Sequence, residues 1–348
     1  MLVGRLPEEI SDLLSPLREP PYRGRQVFAW VHARGATDFE QMSDLPKPLR
    51  AWLSEHAVIP VLSPCEVLDS ADGTRKLLYQ VPGGVIASVL MPSEDRVTLC
   101  ISSQVGCRMG CAFCLTGRIG LVRNLTASEI VGQVLAARRF VPDGRRVSNV
   151  VFMGMGEPLD NLREVVQAVR VITHRLGLRV APRRTTVSTV GLLPRLREFA
   201  EAGTGASIAI SLCATTDEAR RAVVPVGKRY GLEELTRTLA DLQLPHGHRF
   251  TIEYLLIEGV GDRIEDAKRL SRMLSRFPAK VNLIPFNPWS GSPFRRPSEP
   301  AIQAFYETLA SRHHLVTIRH SRGQDIGAAC GQLGKEPSGR VSDATPNG

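Results

Sequence analysis

Cys107, Cys111 and Cys114 carry the strongest chemical signal in the chain. They lie in Gly106-Cys-Arg-Met-Gly-Cys-Ala-Phe-Cys114, a C-x3-C-x2-C spacing that follows the apolar, strand-like run Val97 to Ile101. Thiolates are soft ligands that select iron–sulfur clusters, zinc or copper(I). A [4Fe–4S] cluster ordinarily takes four thiolates, so three on one short loop leave one iron open. An open iron can chelate the amino and carboxylate groups of a ligand such as S-adenosylmethionine and pass an electron into its sulfonium bond. The competing assignment is a structural zinc knuckle, which wants four closed ligands, commonly in paired C-x2-C or C…H spacing. The nearest further cysteine, Cys100, sits on the preceding strand, and no histidine stands at ligand spacing to the three. Ligand counting favours the open cluster.

Other residues acquire chemistry only in context. In Val150-Val-Phe-Met-Gly-Met-Gly-Glu-Pro158, Gly154 and Gly156 let a ligand approach the backbone, and Glu157 can accept from an ammonium group. A strand ending in a glycine-rich turn is common, so this alone is weak. Cys100, in Thr98-Leu-Cys-Ile101, reads by itself as a buried strand cysteine. Cys330 reads by itself as an inert loop thiol.

The cysteine triad, with Cys100-Ile-Ser-Ser-Gln-Val-Gly-Cys107 before it and Arg123-Asn-Leu-Thr-Ala-Ser-Glu-Ile130 after it, resembles the RlmN/Cfr family of radical S-adenosylmethionine enzymes, which methylate a ring carbon of adenosine in RNA. The resemblance runs from about residue 20 to residue 334. It implies that Gly156 and Glu157 lie against the amino group of S-adenosylmethionine. It also marks Ser188, Ser211, Leu212, Cys213 and Asn287 as positions around that ligand. The family usually has Ser-Leu-His where this chain has Ser211-Leu-Cys213; a backbone contact there would tolerate the change.

Asp325-Ile-Gly-Ala-Ala-Cys-Gly-Gln-Leu333 is similar to the family's C-terminal motif, in which the cysteine is the methyl carrier. Adenine C2 and C8 are electrophilic and have no lone pair with which to attack a sulfonium methyl, whereas a thiolate accepts it readily. The resemblance implies that Cys330 is methylated by one S-adenosylmethionine. A second, cleaved at the cluster, yields a 5′-deoxyadenosyl radical that takes hydrogen from the thioether methyl. The methylene radical adds to the base, and Cys100 resolves the protein–RNA crosslink as a disulfide with Cys330. Cys65 matches no role and reads as structural. One departure stands out: thirteen residues before Cys100, where the family usually carries a proton-accepting glutamate, this chain has Ala87. The C2 product in 23S ribosomal RNA, with tRNA as a further substrate, is the leading expectation. The alternatives are the C8 product of the Cfr branch and an iron–sulfur RNA-binding protein of altered catalysis.

The elements that must position these residues follow from periodicity. Residues 1–56 read as a small helical module, with Leu6, Ile10, Leu13 and Leu14 in one stripe and Val27, Phe28 and Val31 in another. The resemblance implies that this module helps hold RNA, with Arg18, Arg23, Arg25, Arg34, Lys47 and Arg50 as phosphate contacts. Residues 57–95 read as a β extension, with strands at 58–62, 76–81 and 85–90 and hairpin signals at Asp72-Gly73 and Gly83-Gly84. Residues 96–320 alternate strands (97–102, 148–153, 185–189, 206–212, 249–256, 280–284) with helices (126–140, 162–177, 191–202, 231–243, 262–276, 298–312). Thr126 and Glu129 form a capping box for the first helix. Such alternation predicts an α/β fold with a parallel sheet, here a partial (β/α)6 barrel with its site at the strands' C-terminal ends; the resemblance implies the same. Residues 321–348 form the expected C-terminal loop with Cys330 and a polar, disordered tail from Lys335.

A chain of 348 residues, 43% of them apolar, can build one large domain and a small one. Its net charge of +9 favours an acidic partner such as nucleic acid. No apolar run approaches the roughly 18 residues of a membrane span, and the N-terminus lacks a signal-peptide core. Seven cysteines, three at cluster spacing, fit a reducing cytoplasm rather than a disulfide scaffold. By resemblance, the partners are RNA and an electron donor such as flavodoxin or ferredoxin, and the protein is a monomer.

Overall fold

The structure, a computed structural model, describes residues 1–334; the tail expected from Lys335 lies outside the described residues. Helices α1 (Pro7–Leu14), α2 (Tyr22–Ala29) and α3 (Lys47–His56) open the chain. Ile10 and Leu14 of α1 and Val27 and Phe28 of α2 are fully buried, as their spacing predicts. The arginines here divide. Arg23 pairs with Glu19, Arg34 with Asp44 and Arg50 with Glu40, so three of the six expected phosphate contacts already have carboxylate partners.

Strands β1 (Glu66–Asp69), β2 (Arg75–Val81) and β3 (Gly84–Pro92) form an antiparallel meander that joins β4 (Val97–Cys100). The strand expected at 58–62 is absent. Pro60 removes a ladder donor there, and the segment instead packs Leu62 against the backbone at Gly132.

A short hairpin follows, β5 (Gln104–Cys107) and β6 (Gly120–Asn124), enclosing α4 (Leu115–Ile119). Alternation then proceeds through α5 (Ala127–Ala137), β7 (Asn149–Phe152), α6 (Leu162–Thr173), β8 (Thr185–Thr189), α7 (Leu193–Glu201) and β9 (Ser207–Ser211). It ends with α8 (Asp217–Val223), α9 (Leu232–Asp241), β10 (Phe250–Leu256), α10 (Ile264–Leu274), β11 (Ala279–Pro285), α11 (Glu299–Ala310) and β12 (Val316–Ile318). The ten-stranded sheet runs β1-β2-β3-β4-β7-β8-β9-β10-β11-β12, and every pairing from β4 to β12 is parallel. The six expected barrel strands are present. β12 is a seventh, too short at three residues to declare itself in the sequence. Thr126 caps α5 with Glu129 returning the bond, as the capping box predicts.

Successive strand residues point to opposite faces. Val150 and Phe152 of β7 are buried beneath helices, while Val151 and Met153 are half-exposed on the other face. Met91 of β3, Cys100, Thr186, Glu253, Asn282 and Arg319 all line a single groove. Residues from both ends of the sheet meet there, so the sheet curls into a partial barrel with a polar lumen.

Candidate functional site

The site grows from the loop after β5. Cys107, Cys111 and Cys114 line one cavity together with Gly156, Glu157 and Ser188. The amide of Ala112 donates to the carbonyl of Val223 (2.9 Å), pinning the loop to the end of α8. Burial pushes the Cys107 thiol up to about 12, Cys111 well above its usual value and Cys114 upward. Without a bound cation these groups are thiols; coordination supplies the charge that ionises them. Among the described residues no three His, Cys, Asp or Glu side chains converge as ligands of one ion. A [4Fe–4S] cube takes each thiolate on a different iron, so three spaced thiols around one cavity suit it.

Glu157 stands on the opposite wall, 3% exposed. Its carboxylate accepts from the amides of Leu159 (3.0 Å) and Val190 (3.0 Å), and its own amide donates to Gln104 Oε1 (2.8 Å). Burial raises its pKa to about 7 despite those hydrogen bonds. Gly156 is in the positive-φ region (+105°), and a Cβ there would fall 2.6 Å from the Gln104 side chain, so only glycine brings this turn against the cysteine loop. Ser188 Oγ and Ser211 Oγ are 3.5 Å apart on neighbouring strands. Cys213 reaches the same cavity with φ +61°, and burial pushes its thiol up to about 12.

Two expected positions lie elsewhere. The Leu212 side chain packs in the main apolar core rather than on the cavity. Asn287 lines the barrel groove instead. Its Nδ2 donates to the carbonyl of Cys330 (3.2 Å), and its Oδ1 accepts from Gln324 (3.1 Å) and from Ser321. It therefore shapes the Cys330 loop.

Cys330 belongs to both spaces: it lines the triad cavity and the groove, whereas Cys100 lines the groove alone. The Cys100 thiol, wholly buried, is pushed up to about 12, first by desolvation and then by the neighbouring Cys330. Cys65 is exposed, away from this centre. The β extension holds the Cys330 loop in place. Lys76 Nζ donates to the Gly327 carbonyl (2.9 Å), Asp72 accepts from the Gly323 amide (2.9 Å), and Asp325 accepts from Ser70 Oγ (2.7 Å). From the other side, the Leu115 amide donates to the Gly331 carbonyl (2.8 Å), tying the loop to the cysteine triad.

Sequence reasoning missed three residues of this centre. Glu253 and Arg319 line both spaces, and Arg220 is fully buried behind Cys213. Glu253 sits in register with Ser211 and Asn282 on adjacent strands; strand parity from Ser211 could have found it. Ala87 is buried and offers only its carbonyl, to Ser102 Oγ (2.6 Å).

The chain matches the ribosomal RNA large subunit methyltransferase N-terminal domain over residues 2–59 and the radical SAM superfamily over residues 101–270. It is 49% identical to the dual-specificity RNA methyltransferase RlmN of Geobacter sulfurreducens, across 97% of this chain and 96% of that one. It is 43% identical to the RlmN of a Nitratiruptor species, across 92% and 94%. A crystal structure of a radical SAM methyltransferase from Sphaerobacter thermophilus superposes with a TM-score of 0.88 at 42% identity, covering 94% of this chain and 97% of that chain. By these matches the chain belongs to the RlmN family of radical S-adenosylmethionine RNA methyltransferases.

Proposed function

We propose that this enzyme methylates C2 of adenine in 23S ribosomal RNA and in tRNA, through a methylated Cys330 and a transient protein–RNA crosslink. The observation that carries the reading is the position of Cys330, on the shared wall of the cysteine-triad cavity and the barrel groove. A carrier that accepts a methyl on one side and delivers it to a base on the other needs that place. The family's [4Fe–4S] cluster and S-adenosylmethionine, two per turnover, supply the methyl cation and the hydrogen-abstracting radical. Cys107, Cys111 and Cys114 hold the cluster. Glu157 and the Gly156 backbone accept the ammonium group of S-adenosylmethionine, and Ser188 and Ser211 complete the wall.

The groove admits an unstacked base, the usual way an enzyme reaches a ring atom in RNA. Glu253, the carboxylate on both walls, takes the proton that leaves the ring carbon, the task for which Ala87 has no group. The Cys100 thiolate then attacks the Cys330 sulfur; the S–CH2 bond breaks with its electron pair on the methylene carbon, which takes a proton and leaves as the methyl of the base, and an external thiol reductant reopens the disulfide before the next turnover. Because Cys100 lines the groove and not the triad cavity, it does not compete with Cys330 for the first methyl. The N-terminal helices and the flanking barrel surface bind RNA, and an external one-electron donor reduces the cluster.

The deciding experiment is the mass of the Cys330 peptide from protein expressed with its cluster. One added methyl on Cys330, followed by 2-methyladenosine in RNA after anaerobic turnover, is the expected result. An unmodified Cys330 in cluster-loaded protein overturns the mechanism and points to an RNA-binding iron–sulfur protein.

A further inference from the structure

The catalytic mouth occupies the C-terminal ends of the barrel strands, yet a cluster of arginines lies at the other end. Arg96 precedes β4, Arg145 and Arg146 precede β7, and Arg183 and Arg184 precede β8. These three strands are neighbours in the sheet. Five residues of strand, at about 3.3 Å each, separate this rim from the mouth by roughly 15 Å.

All of these but Arg183 line connected clefts. Arg34, Arg138, Arg146 and Arg179 share one cleft between α2 and the barrel. That cleft shares Arg34 and Arg138 with a second, which Arg139 also lines. It shares Arg146 and Arg179 with a third, which continues to Arg145 and Arg184. The result is one continuous track from the N-terminal helices along the foot of the sheet. Asp95 is the one carboxylate among the described residues lining it. Apart from Arg34, which meets Asp44 at 3.8 Å, none of these arginines forms an ion pair among the described residues. Arg138, Arg145 and Arg179 bond only to backbone carbonyls, which orient the guanidinium groups without neutralising them. Holding this many like charges together costs stability through self-repulsion. Arginine forks match phosphate oxygens, and eight arginines face a single carboxylate along these clefts.

We propose that this arginine track is a second RNA-binding surface, which grips the phosphate backbone of the substrate at a segment remote from the adenine in the mouth. The proposal rests on the RNA reading above and adds a location to it. A large RNA reaches both rims by passing along the N-terminal helices, where the track begins. The contacts are to phosphate, so they set affinity and not base choice.

The test uses filter binding of an unmodified 23S ribosomal RNA transcript to cluster-loaded protein over a series of salt concentrations. Arg139, Arg146 and Arg184 make no side-chain hydrogen bond among the described residues, so the triple variant R139Q/R146Q/R184Q removes charge without breaking the fold. A control of equal charge, R237Q/R272Q/R312Q, lies on helices α9 and α10 and at the end of α11. Each lost phosphate contact lowers the slope of log K against log salt by about 0.7 to 0.9, so the track variant is expected to lose roughly 2 to 3 in slope while the control keeps its own. KM for RNA rises, and kcat at saturating RNA and the methyl content of Cys330 are unchanged. A track variant with the parental slope and KM overturns the proposal while leaving the RNA reading intact; an acidic protein would then be the track's occupant. A parent protein that neither binds nor methylates RNA overturns both.

Discussion

Gly106 and Gly120 face each other so closely across the β5–β6 hairpin that a Cβ on Gly106 would sit 1.8 Å from the Gly120 carbonyl oxygen. Both residues are also in the positive-φ region, at +73°. The hairpin's last pair joins Cys107 to Gly120, just beyond α4, so this contact fixes the base of the cysteine loop. Gly106→Ala must spread the strands and is expected to yield soluble protein that reconstitutes with well under half the parental iron. Iron and sulfide per chain, with the cluster's absorbance, measure it; full cluster content in the variant would show that the loop is set elsewhere.

Arg220 links three parts of the site from behind. Nη1 donates to the Tyr230 carbonyl (2.8 Å) and Nη2 to the Val190 carbonyl (2.8 Å), while the Val190 amide holds Glu157. Replacing Arg220 with Met strands two buried carbonyls, at about 1 to 3 kcal/mol each, partly offset because an ion without a carboxylate partner is removed from the interior. A net loss of roughly 2 kcal/mol is expected in denaturant unfolding. S-adenosylmethionine affinity should fall several-fold, because the Val190 turn relaxes. Unchanged affinity in a destabilised variant would confine Arg220 to a structural role.

The thiols differ in exposure, which sets an order of reaction. Cys65 is exposed, whereas Cys100 is buried and held near 12. Thiolate is the reactive form. Brief iodoacetamide treatment at pH 8 is expected to label Cys65 nearly completely and Cys100 by only a few per cent, read by peptide mass. Extensive labelling of Cys100 would mean that the groove opens in solution.

Glu253→Gln keeps the shape of the lumen but accepts no proton. Cys330 should still acquire its methyl, while product formation falls by at least tenfold and an RNA-linked protein band accumulates in denaturing gels. Parental turnover would remove Glu253 from the reaction.

His32 ties the chain's beginning to α2: its Nδ1 donates to the Phe28 carbonyl (3.1 Å) and its Nε2 accepts from the Gly4 amide (3.3 Å). Burial lowers its pKa to about 4. Between pH 6.5 and 4 the unfolded chain binds the proton and the native chain does not, so this stability is present above pH 6.5 and lost as pH falls, up to about 3 kcal/mol. Glu157, raised to about 7, acts in the opposite sense. The difference between parent and His32→Gln cancels that contribution. Their stabilities should converge on acidification, and a constant difference would exclude His32 as the origin.

Local rules read the cysteine triad, the alternating strands and helices and the Thr126 cap directly, because spacing, period and capping are properties of neighbouring residues; Cys330 stood out only through the family resemblance of the motif around it. They also read Pro60 too leniently and overlooked β12, since neither a broken ladder nor an edge strand of three residues leaves a periodic mark. What the sequence could not contain was adjacency across the fold. Asp72 and Lys76 hold a loop some 250 residues away, Asn287 turns toward Cys330, and Glu253 and Arg319 face the lumen by strand register. The track arginines come from segments as far apart as Arg34, Arg96, Arg146 and Arg184. Curling the sheet brings these groups together, and only the packing of strands from both of its ends decides which side chains share a cavity.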